Sequence, residues 1–305
     1  MRTVTRLEDI SETEPCSLAL GSFDGLHRGH MAVIRASLEN TFSNRAGVLT
    51  FFGSPQGSPA LLTAEEKAEI LREKNISQLY FLEFSEVKNI SAEEFFWEVL
   101  QKRCKAKKLC CGEDFRFGRG AKGDVFLLRS LCEEAGSELV VLPAVKENGE
   151  KISSTRIRAA VQAGDIPTAN RLLGRPFGFR AEVIHGNHLG RELGFPTVNQ
   201  PLPENFAVPP FGVYVSRVEI DGVLYYGVTN VGKKPTVGSD RVLAETWIMD
   251  FSGDLYTKRI RLSLLQFLRP ERKFDSLEDL RAEVLKNGEQ AREIAEKLGK
   301  LTEKE

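Results

Sequence analysis

Residues 17–30 have the sequence SLALGSFDGLHRGH, in which a short apolar run passes directly into a glycine-rich segment with two histidines. The run predicts a buried strand, and the residues from about His30 onward have helical periodicity. A glycine-rich turn between a strand and a helix allows backbone amides and the helix N-terminus to face a phosphate. His27 and His30 are three residues apart and can present both imidazoles to the same anion. This stretch therefore predicts a phosphate-binding turn at the open edge of a parallel sheet.

Two other interpretations of this stretch stay open. The histidines would only cap a tight turn if the segment had a purely structural role, and they would bind a metal ion if a third ligand joined them. No third ligand of matching type lies nearby in the sequence. Three glycines, an aspartate and both histidines within ten residues favour the phosphate-binding interpretation.

On both sides of this stretch, up to about residue 173, short β-rich runs alternate with segments of helical periodicity. Predicted strands cover residues 17–20, 47–52, 78–84, 108–111 and 139–142. Predicted helices begin near residues 30, 63, 91, 122 and 154, and Ser91 with Glu94 forms a capping box. The alternation predicts an α/β domain with a parallel sheet over residues 1–174.

From residue 175 onward, closely spaced strands follow one another with almost no helix. They cover residues 177–184, 212–220, 223–230, 242–250 and 259–268. Asp221 and Gly222, between two of these runs, predict a type I′ hairpin, and residues 276–298 predict one amphipathic helix. Residues 175–305 are therefore predicted to form a small antiparallel β-barrel with a terminal helix. A length of 305 residues also favours two domains over one.

Composition restricts the possible partners. The 42 Lys and Arg residues balance 43 Asp and Glu residues, so no charge excess is available for a nucleic-acid backbone or an anionic membrane. No apolar run approaches the roughly 18 residues of a membrane helix, and residues 1–15 lack the pattern of a secretory signal. The five cysteines are odd in number and lack C-x-x-C spacing, which indicates reduced core residues in a cytoplasmic protein. The sequence leaves the oligomeric state undetermined.

A second candidate anion site is the segment ISSTRIR at residues 152–158. It places three hydroxyls at a predicted helix start, followed by two guanidinium groups. Hydroxyl and amide donors at the positive end of a helix, with arginines for charge-assisted hydrogen bonds, suit a polyphosphate. Taken alone, the segment is equally well explained as an ordinary helix cap followed by a solvated face.

Together the two segments resemble the adenylyltransferase half of bacterial bifunctional riboflavin kinase/FAD synthetases, which carries G-x-F-D-G-x-H-x-G-H and I-S-S-T-x-I-R. Residues 112–118 are similar to that family's G-x-D-F-x-F-G segment, and residues 62–67 to its L-T-x-x-E-K helix start. The resemblance implies a Rossmann-like nucleotidyltransferase domain in which His27 and His30 are catalytic. It implies that ATP is bound by Gly21, Phe23, Asp24, Gly25, His27, His30, Ser153, Ser154, Thr155, Arg156 and Arg158. The flavin contacts that it implies are Asp114, Phe115 and Phe117.

Three segments of the predicted barrel resemble the flavokinase half of the same family, namely residues 186–199, 244–256 and 268–274. The resemblance assigns the general base to Glu245, which would accept the proton of a primary alcohol. It implies that the kinase ATP is bound by Gly186, Gly190, Thr197, Asn199 and Tyr256. Thr197 and Asn199 also offer the hard oxygen ligands that suit Mg²⁺. The implied flavin contacts are Arg269, Arg272 and Phe274.

The resemblance implies two reactions on small-molecule substrates, with neither a nucleic acid nor a membrane as partner. Riboflavin and ATP would give FMN and ADP in the barrel, with Mg²⁺ neutralising the phosphates. FMN and ATP would give FAD and pyrophosphate in the α/β domain.

The sequence departs from the family pattern at three places. Residues 52–55 lack the histidine of the Pro-His-Pro that many relatives carry, Trp247 replaces a histidine, and Thr257 replaces a glycine. The missing histidine keeps open a kinase whose α/β domain is inactive. A non-catalytic flavin-binding regulator would have discarded Glu245 and the phosphate ligands. A nucleotidyltransferase for another small phosphate would leave the barrel unexplained.

Overall fold

The computed structural model of this chain describes residues 1–42, 45–53, 57–186, 190, 194–236 and 239–302. Internal contacts divide the chain into two compact units, Met1–Ser154 and Thr155–Glu305. Each unit is built around its own six-stranded sheet.

The first unit alternates strands and helices, as the sequence pattern predicts. Its strands are β1 (Arg2–Val4), β2 (Cys16–Leu20), β3 (Ala46–Phe51), β4 (Gln78–Leu82), β5 (Ala106–Gly112) and β6 (Glu138–Leu142), followed by a small hairpin of β7 (Lys146–Glu147) and β8 (Glu150–Lys151). Its helices are α1 (Arg28–Leu38), α2 (Ala64–Glu73), α3 (Phe84–Val87), α4 (Ala92–Glu94, continued by the π-helix Phe95–Arg103) and α5 (Val125–Ala135).

The sheet of the first unit is parallel and has the strand order β1-β4-β3-β2-β5-β6. Leu18 and Ala19 of β2 point to opposite faces, and each is fully buried in a different apolar cluster. Burial on both faces explains why these strands are continuous apolar runs in the sequence. The strands β3 and β5 lie on opposite sides of β2. The chain therefore adds strands on one side of β2 and then crosses to the other side, so the strand order reverses between β2 and β5. In such sheets, ligands bind beyond the carboxyl ends of the strands at this point.

The five predicted strands of this unit are confirmed, with ends that differ by one or two residues. The pattern does not predict β1, which has only three residues at the sheet edge. The helix predicted near residue 122 begins at Val125, because the Asp124 side chain accepts the N–H groups of Phe126 and Leu127. Ser91 caps α4 as predicted, since its Oγ accepts the Glu94 N–H.

The second unit begins with helices and continues as an antiparallel sheet. Its helices are α6 (Ser154–Gln162), α7 (Ile166–Leu173) and α8 (Leu277–Thr302). Its strands are β9 (Phe177–Glu182), β10 (Thr197–Pro201), β11 (Gly212–Ile220), β12 (Val223–Thr236), β13 (Ser239–Ile248) and β14 (Arg259–Pro270), in the order β10-β13-β12-β11-β14-β9. The five strands and the terminal helix predicted here are confirmed, whereas β10 and α7 are absent from the sequence prediction.

The edge strands β9 and β10 approach each other, so this sheet curls into the predicted barrel-like form. Gln200 of β10 is fully buried, and its Nε2 donates to the carbonyl oxygens of Ala181 and Ile260 at 2.9 Å each. An isolated bridge pairs Ile184 with Asn199. The Gln200 amide and the bridge at Asn199 thus help to hold the two edges together.

The contacts place residues 155–173 in the second unit, whereas the sequence prediction ends the first domain at residue 174. The reason is that α7 packs on β9 and β14. Asn170 Oδ1 accepts the Phe177 N–H at 2.7 Å, and Asn170 Nδ2 donates to the Leu264 carbonyl at 3.0 Å. The functional boundary at residue 174 stays a prediction.

Helix α8 packs on the sheet through Trp247, the residue that replaces the family's histidine. Trp247 belongs to an apolar cluster with Ala291 and Ile294 of α8. Gly288 lies over the indole, and a Cβ at this position would come within 2.7 Å of the ring atom Cζ3. A glycine inside a helix lowers stability by about 1 kcal/mol relative to alanine. Its presence here is explained by the indole, which occupies the space that a Cβ would need.

We predict that Gly288→Ala lowers the free energy of unfolding by about 1–3 kcal/mol, because the added methyl group overpacks against Trp247. Denaturant unfolding measures this change. In a Trp247→Phe background the ring is shorter, so the same substitution is expected to cost less or to stabilise through helix propensity. A stabilising effect of Gly288→Ala alone would contradict this account.

Thr257, the second departure in the barrel, lies in a turn with φ at +65°. This left-handed conformation is unfavourable for a β-branched residue, whereas glycine adopts it without strain. The side chain is exposed, so no packing depends on it.

Thr257→Gly is therefore expected to raise the free energy of unfolding by about 1 kcal/mol. Thr257→Ala serves as the matched control, since it keeps the Cβ that causes the strain and should change stability less. Equal stability of the glycine variant and the wild type in denaturant unfolding would show that the turn is not strained.

Candidate functional site

The loop between β2 and α1, residues 21–27, lies at the carboxyl end of the central strand. Phe23, Gly25 and Leu26 have φ values of +46°, +78° and +43°. Asp24 is buried, and its Oδ1 accepts the Leu61 N–H at 3.0 Å. These contacts fix a loop whose backbone is left-handed at three of four successive residues.

The two histidines of this loop region stack on each other at the start of α1. Their ring centroids are 3.5 Å apart, with 17° between the ring planes. His27 is buried and caps α1, since its Nδ1 accepts the His30 N–H at 3.2 Å. This cap explains why α1 begins at Arg28 rather than near residue 30. Gly29 permits the arrangement, because a Cβ there would come within 3.1 Å of His27 Cε1.

The segment 152–158 meets this loop through its serine. Ser154 is the first residue of α6, and its Oγ donates to the Asp24 carbonyl oxygen at 3.0 Å. The structure thus brings together Ser154 and the loop, which are 130 residues apart. Ser153, like Ser154, is half-buried, and Thr155 is exposed. Arg156 and Arg158 follow in the first two turns of α6, half-buried on either side of the fully buried Ile157.

The predicted flavin contacts of the first unit lie in the segment after β5, on the other side of the point where the strand order reverses. Phe115 and Phe117 stack with centroids 5.6 Å apart, and Phe117 also packs against Phe95. Phe117 is buried, so Phe115 carries the more accessible ring. Asp114 is exposed, and its Oδ2 accepts from Lys151 Nζ at 2.5 Å.

In the second unit, Thr197, Asn199 and Glu245 form one polar cluster, the Thr197 cluster. Asn199 pairs directly with Glu245 across β10 and β13. Thr197 lies two residues away on the same face, and its Oγ1 donates to Glu245 Oε1 at 2.9 Å. Asn199 is buried. Adjacent strands thus place a hydroxyl oxygen and an amide oxygen, both able to ligate a cation, beside a carboxylate.

Both predicted glycines pack directly against this cluster. A Cβ at Gly186 would lie 2.2 Å from Asn199 Nδ2, and a Cβ at Gly190 would lie 3.2 Å from Thr197 Oγ1. The Gly190 carbonyl oxygen accepts the Phe195 N–H at 2.9 Å. The rest of the predicted phosphate loop, residues 187–189 and 191–193, lies outside the described residues, as do residues 54–56 at the missing Pro-His-Pro.

Tyr256 stacks on His185, with ring centroids 3.9 Å apart and 24° between the planes. His185 is exposed and directly precedes Gly186. The sequence alone assigns His185 no role, because only its pairing with a residue 71 positions later makes an aromatic surface beside the candidate ATP loop.

The arginines predicted to contact flavin in the kinase both bind helix α8. Arg269 Nε lies 3.1 Å from Glu283 Oε1, and Arg272 Nη2 donates to Glu283 Oε2 at 2.6 Å. Arg269 Nε also donates to Asn287 Oδ1 at 3.2 Å. Burial lowers the pKa of Arg269, and the Glu283 carboxylate opposes this effect. Both guanidinium groups lie over the Phe274 ring, at 5.7 and 4.7 Å from its centroid.

The two arginine cations lie over the Phe274 ring, and its flavin contact stays a prediction. Glu283 and Asn287 are the residues that sequence reasoning misses here. Their spacing of four residues on one helix face is a weak signal, because it becomes meaningful only with the arginines above it.

Within the described residues, no group of three or more His, Cys, Asp or Glu side chains comes together as a metal site. The oxygen-rich Thr197 cluster is of a different kind, and its hydroxyl and amide oxygens fit a hard cation such as Mg²⁺. In the described part of the chain, every helix is too short or too polar to span a membrane.

Comparison with known proteins gives a consistent result for both units. A family model described as FAD synthetase matches residues 9–156, and one described as riboflavin kinase matches residues 173–295. The bifunctional riboflavin kinase/FMN adenylyltransferase of Escherichia coli (strain K12) is 34% identical over 96% of this chain and 98% of its own. The protein of the same name from Pseudomonas fluorescens is 35% identical over 97% and 98%, and that from Bacillus subtilis (strain 168) is 32% identical over 90% of each.

A solved structure gives the same fold. It is described as a macrolide-efflux protein from Streptococcus pneumoniae, and it matches with a TM-score of 0.83 at 31% identity, covering 95% of this chain and 98% of that one. The efflux description belongs to that protein, whereas both family models and the relatives above name flavin chemistry. The chain therefore belongs to the bifunctional riboflavin kinase/FMN adenylyltransferases, enzymes that phosphorylate riboflavin to FMN and adenylylate FMN to FAD.

Proposed function

We propose that riboflavin is phosphorylated at the Thr197 cluster of the second unit and that FMN is adenylylated at the β2–α1 loop of the first. The observation that carries the first assignment is the hydrogen bond from Thr197 to Glu245 opposite Asn199. The second is supported by two stacked histidines at a helix N-terminus, where the strand order of a parallel sheet reverses.

In the kinase reaction, the 5′-hydroxyl oxygen of riboflavin attacks the γ-phosphorus of ATP, and ADP leaves. The hydroxyl proton must go to a base, and Glu245 is the carboxylate of the cluster. The bond from Thr197 fixes the orientation of that carboxylate. Gly186 and Gly190 bring backbone close to Asn199 and Thr197, which suits a loop that covers phosphates. Tyr256, stacked on His185, offers an aromatic surface beside that loop.

We assign Mg²⁺ to Thr197 and Asn199. The Thr197 hydroxyl directs its hydrogen to Glu245, so its oxygen lone pairs stay available for a cation. When bound, Mg²⁺ would neutralise the negative charge of the ATP phosphates.

In the adenylyltransferase reaction, a phosphate oxygen of FMN attacks the α-phosphorus of ATP, and pyrophosphate leaves. His27 and His30, together with the N-terminus of α1, would stabilise the charge that moves onto pyrophosphate. Ser154, Arg156 and Arg158 belong to the second phosphate segment and would supply further donors.

Flavin would be bound by different groups in the two sites. In the adenylyltransferase site, we assign the isoalloxazine contact to Phe115 and a polar contact to Asp114, with Phe117 supporting Phe115 from the core side. In the kinase site, Arg269 and Arg272 would bind polar flavin atoms beside Phe274 while Glu283 fixes their positions.

We infer a reducing, cytoplasmic location from the five free cysteines, which are all buried. Burial raises the pKa of Cys16 and Cys110 to about 12, which keeps both as unreactive thiols. ATP as the co-substrate of both steps agrees with this location.

Chromatography of the products formed by the purified chain from riboflavin, ATP and Mg²⁺ tests the proposal as a whole. FAD supports both sites. FMN without FAD would leave only the kinase assignment, and unchanged riboflavin would refute the kinase assignment.

We predict that Glu245→Gln lowers FMN formation from riboflavin by about 10²–10⁴-fold, because the amide cannot accept the hydroxyl proton. FAD formation from supplied FMN should stay near the wild-type rate. Glu219→Gln, at an exposed position on β11, is the matched control. Riboflavin phosphorylation at the wild-type rate by the Glu245 variant would remove Glu245 as the base.

We predict that the double variant His27→Ala/His30→Ala lowers FAD formation from FMN by at least about 10²–10³-fold. Each preorganised donor to a developing anion is worth about 2.7–4 kcal/mol, although two donors to one anion need not add. The exposed Arg35→Ala on the same helix is the control, and riboflavin phosphorylation by the same samples reports folding of the second unit. FAD synthesis near the wild-type rate in the double variant would refute the site assignment.

A further inference from the structure

Lys67 of α2 is a buried cation that the reaction scheme above does not use. Its side chain is among the least exposed of the charged residues, and its Nζ donates to two backbone carbonyl oxygens. These are the carbonyl of Ser22, at 3.1 Å, and that of Phe51, at 3.3 Å. The ammonium also lies 5.2 Å from the centroid of the Phe81 ring. Lys67 thus connects α2 to the carboxyl ends of two adjacent strands.

The Ser22 carbonyl lies near the start of the β2–α1 loop, and two side chains donate to it. Besides Lys67, Thr50 Oγ1 donates to this oxygen at 2.8 Å. Phe23, the next residue, begins the left-handed part of the loop. Strained backbone persists only where surrounding bonds determine it, so these two donors fix the start of the loop.

Burying the ammonium charge of Lys67 costs free energy. A neutral donor could make hydrogen bonds to carbonyl groups without that cost. Burial lowers the pKa of Lys67 to about 8, and the Asp24 carboxylate opposes this effect. From β3, Lys67 meets the Phe51 carbonyl and lies near the Thr50 hydroxyl, and from β4 it meets the Phe81 ring. Thr50 shows that a neutral donor can hold the same carbonyl. The ammonium therefore supplies something that a hydroxyl does not, which is positive potential behind a loop that faces phosphates.

We propose that Lys67 is a positioning residue for adenylyl transfer, whose ammonium holds the β2–α1 loop through Ser22 and adds positive potential behind the ATP phosphates. The inference rests on the proposed function of that loop. It gives a role to the L-T-x-x-E-K segment, to which the sequence alone assigns none.

The charge of Lys67 has opposite effects on activity and stability as the pH rises. Adenylyl transfer should decline above about pH 8, where the folded protein loses the ammonium proton. Between about 8 and the ordinary value of 10.5, the unfolded chain binds more protons at this site than the folded chain does. The contribution of this residue to stability therefore rises with pH across the same window. A purely structural role would not separate the two quantities in this way.

The experiment compares Lys67→Met, Lys67→Arg and Thr50→Val with the wild type. FAD formation from FMN, ATP and Mg²⁺ is measured from about pH 6.5 to about 9.5, together with riboflavin phosphorylation and denaturant unfolding. We expect Lys67→Met to lower kcat for FAD formation by about 10²-fold through a misplaced loop, with an unchanged kinase rate. Thr50→Val should lower kcat for FAD formation less than Lys67→Met does, and it should keep the decline in activity that the wild type shows at alkaline pH. Lys67→Arg should shift that decline to higher pH.

Wild-type FAD synthesis by a folded Lys67→Met would overturn the inference, and so would a loss no greater than that of Thr50→Val. An alkaline decline that Lys67→Arg leaves in place would do the same. If Lys67→Arg fails to fold, the comparison of Lys67→Met with Thr50→Val still decides. Different outcomes would refute the proposed function itself. These are FAD synthesis at the wild-type rate by the His27→Ala/His30→Ala variant, or no FAD synthesis by the wild type.

Discussion

Asp24 is the residue on which the arrangement of the first unit depends most, since it joins three segments that are distant in sequence. Its carboxylate accepts the Leu61 N–H, and its carbonyl accepts the Ser154 hydroxyl. The loop that contains it has non-glycine residues in left-handed conformations, each of which costs about 1–3 kcal/mol. The bonds at Asp24 and Ser22 offset this cost. A preformed loop with a helix N-terminus at its end can then meet phosphates without further reorganisation.

The second unit depends on the approach of its two edge strands. Gln200 and the bridge from Ile184 to Asn199 bring β10 beside β9 while β10 stays paired with β13. The pairing with β13 puts Asn199 opposite Glu245. The approach to β9 puts Gly186 against the Asn199 amide. A single strand thus places the candidate metal ligands beside the candidate base on its β13 side, while its other side meets β9 and Gly186.

Around the barrel, the departures from the family pattern have different physical consequences. Trp247 is accommodated, because Gly288 leaves room for the indole under α8. Thr257 is not accommodated in the same way and keeps a left-handed backbone. Helix α8 also binds Arg269 and Arg272 through Glu283, so the terminal helix takes part in arranging the candidate flavin groups.

The sequence by itself determined the two-part organisation, five strands of each sheet and the motif residues of both candidate sites. Strands buried on both faces must be continuous apolar runs, and glycine or capping residues mark the turns, so this information is local. Only the tertiary structure decided the short edge strand β1, the strand β10 inside a glycine-rich motif, and the roles open to Lys67, His185 and Glu283. Each of these depends on a partner far away in the chain. A buried lysine or a bridging glutamate has no local pattern that distinguishes it from a solvated one, because burial and hydrogen-bond partners are set by packing.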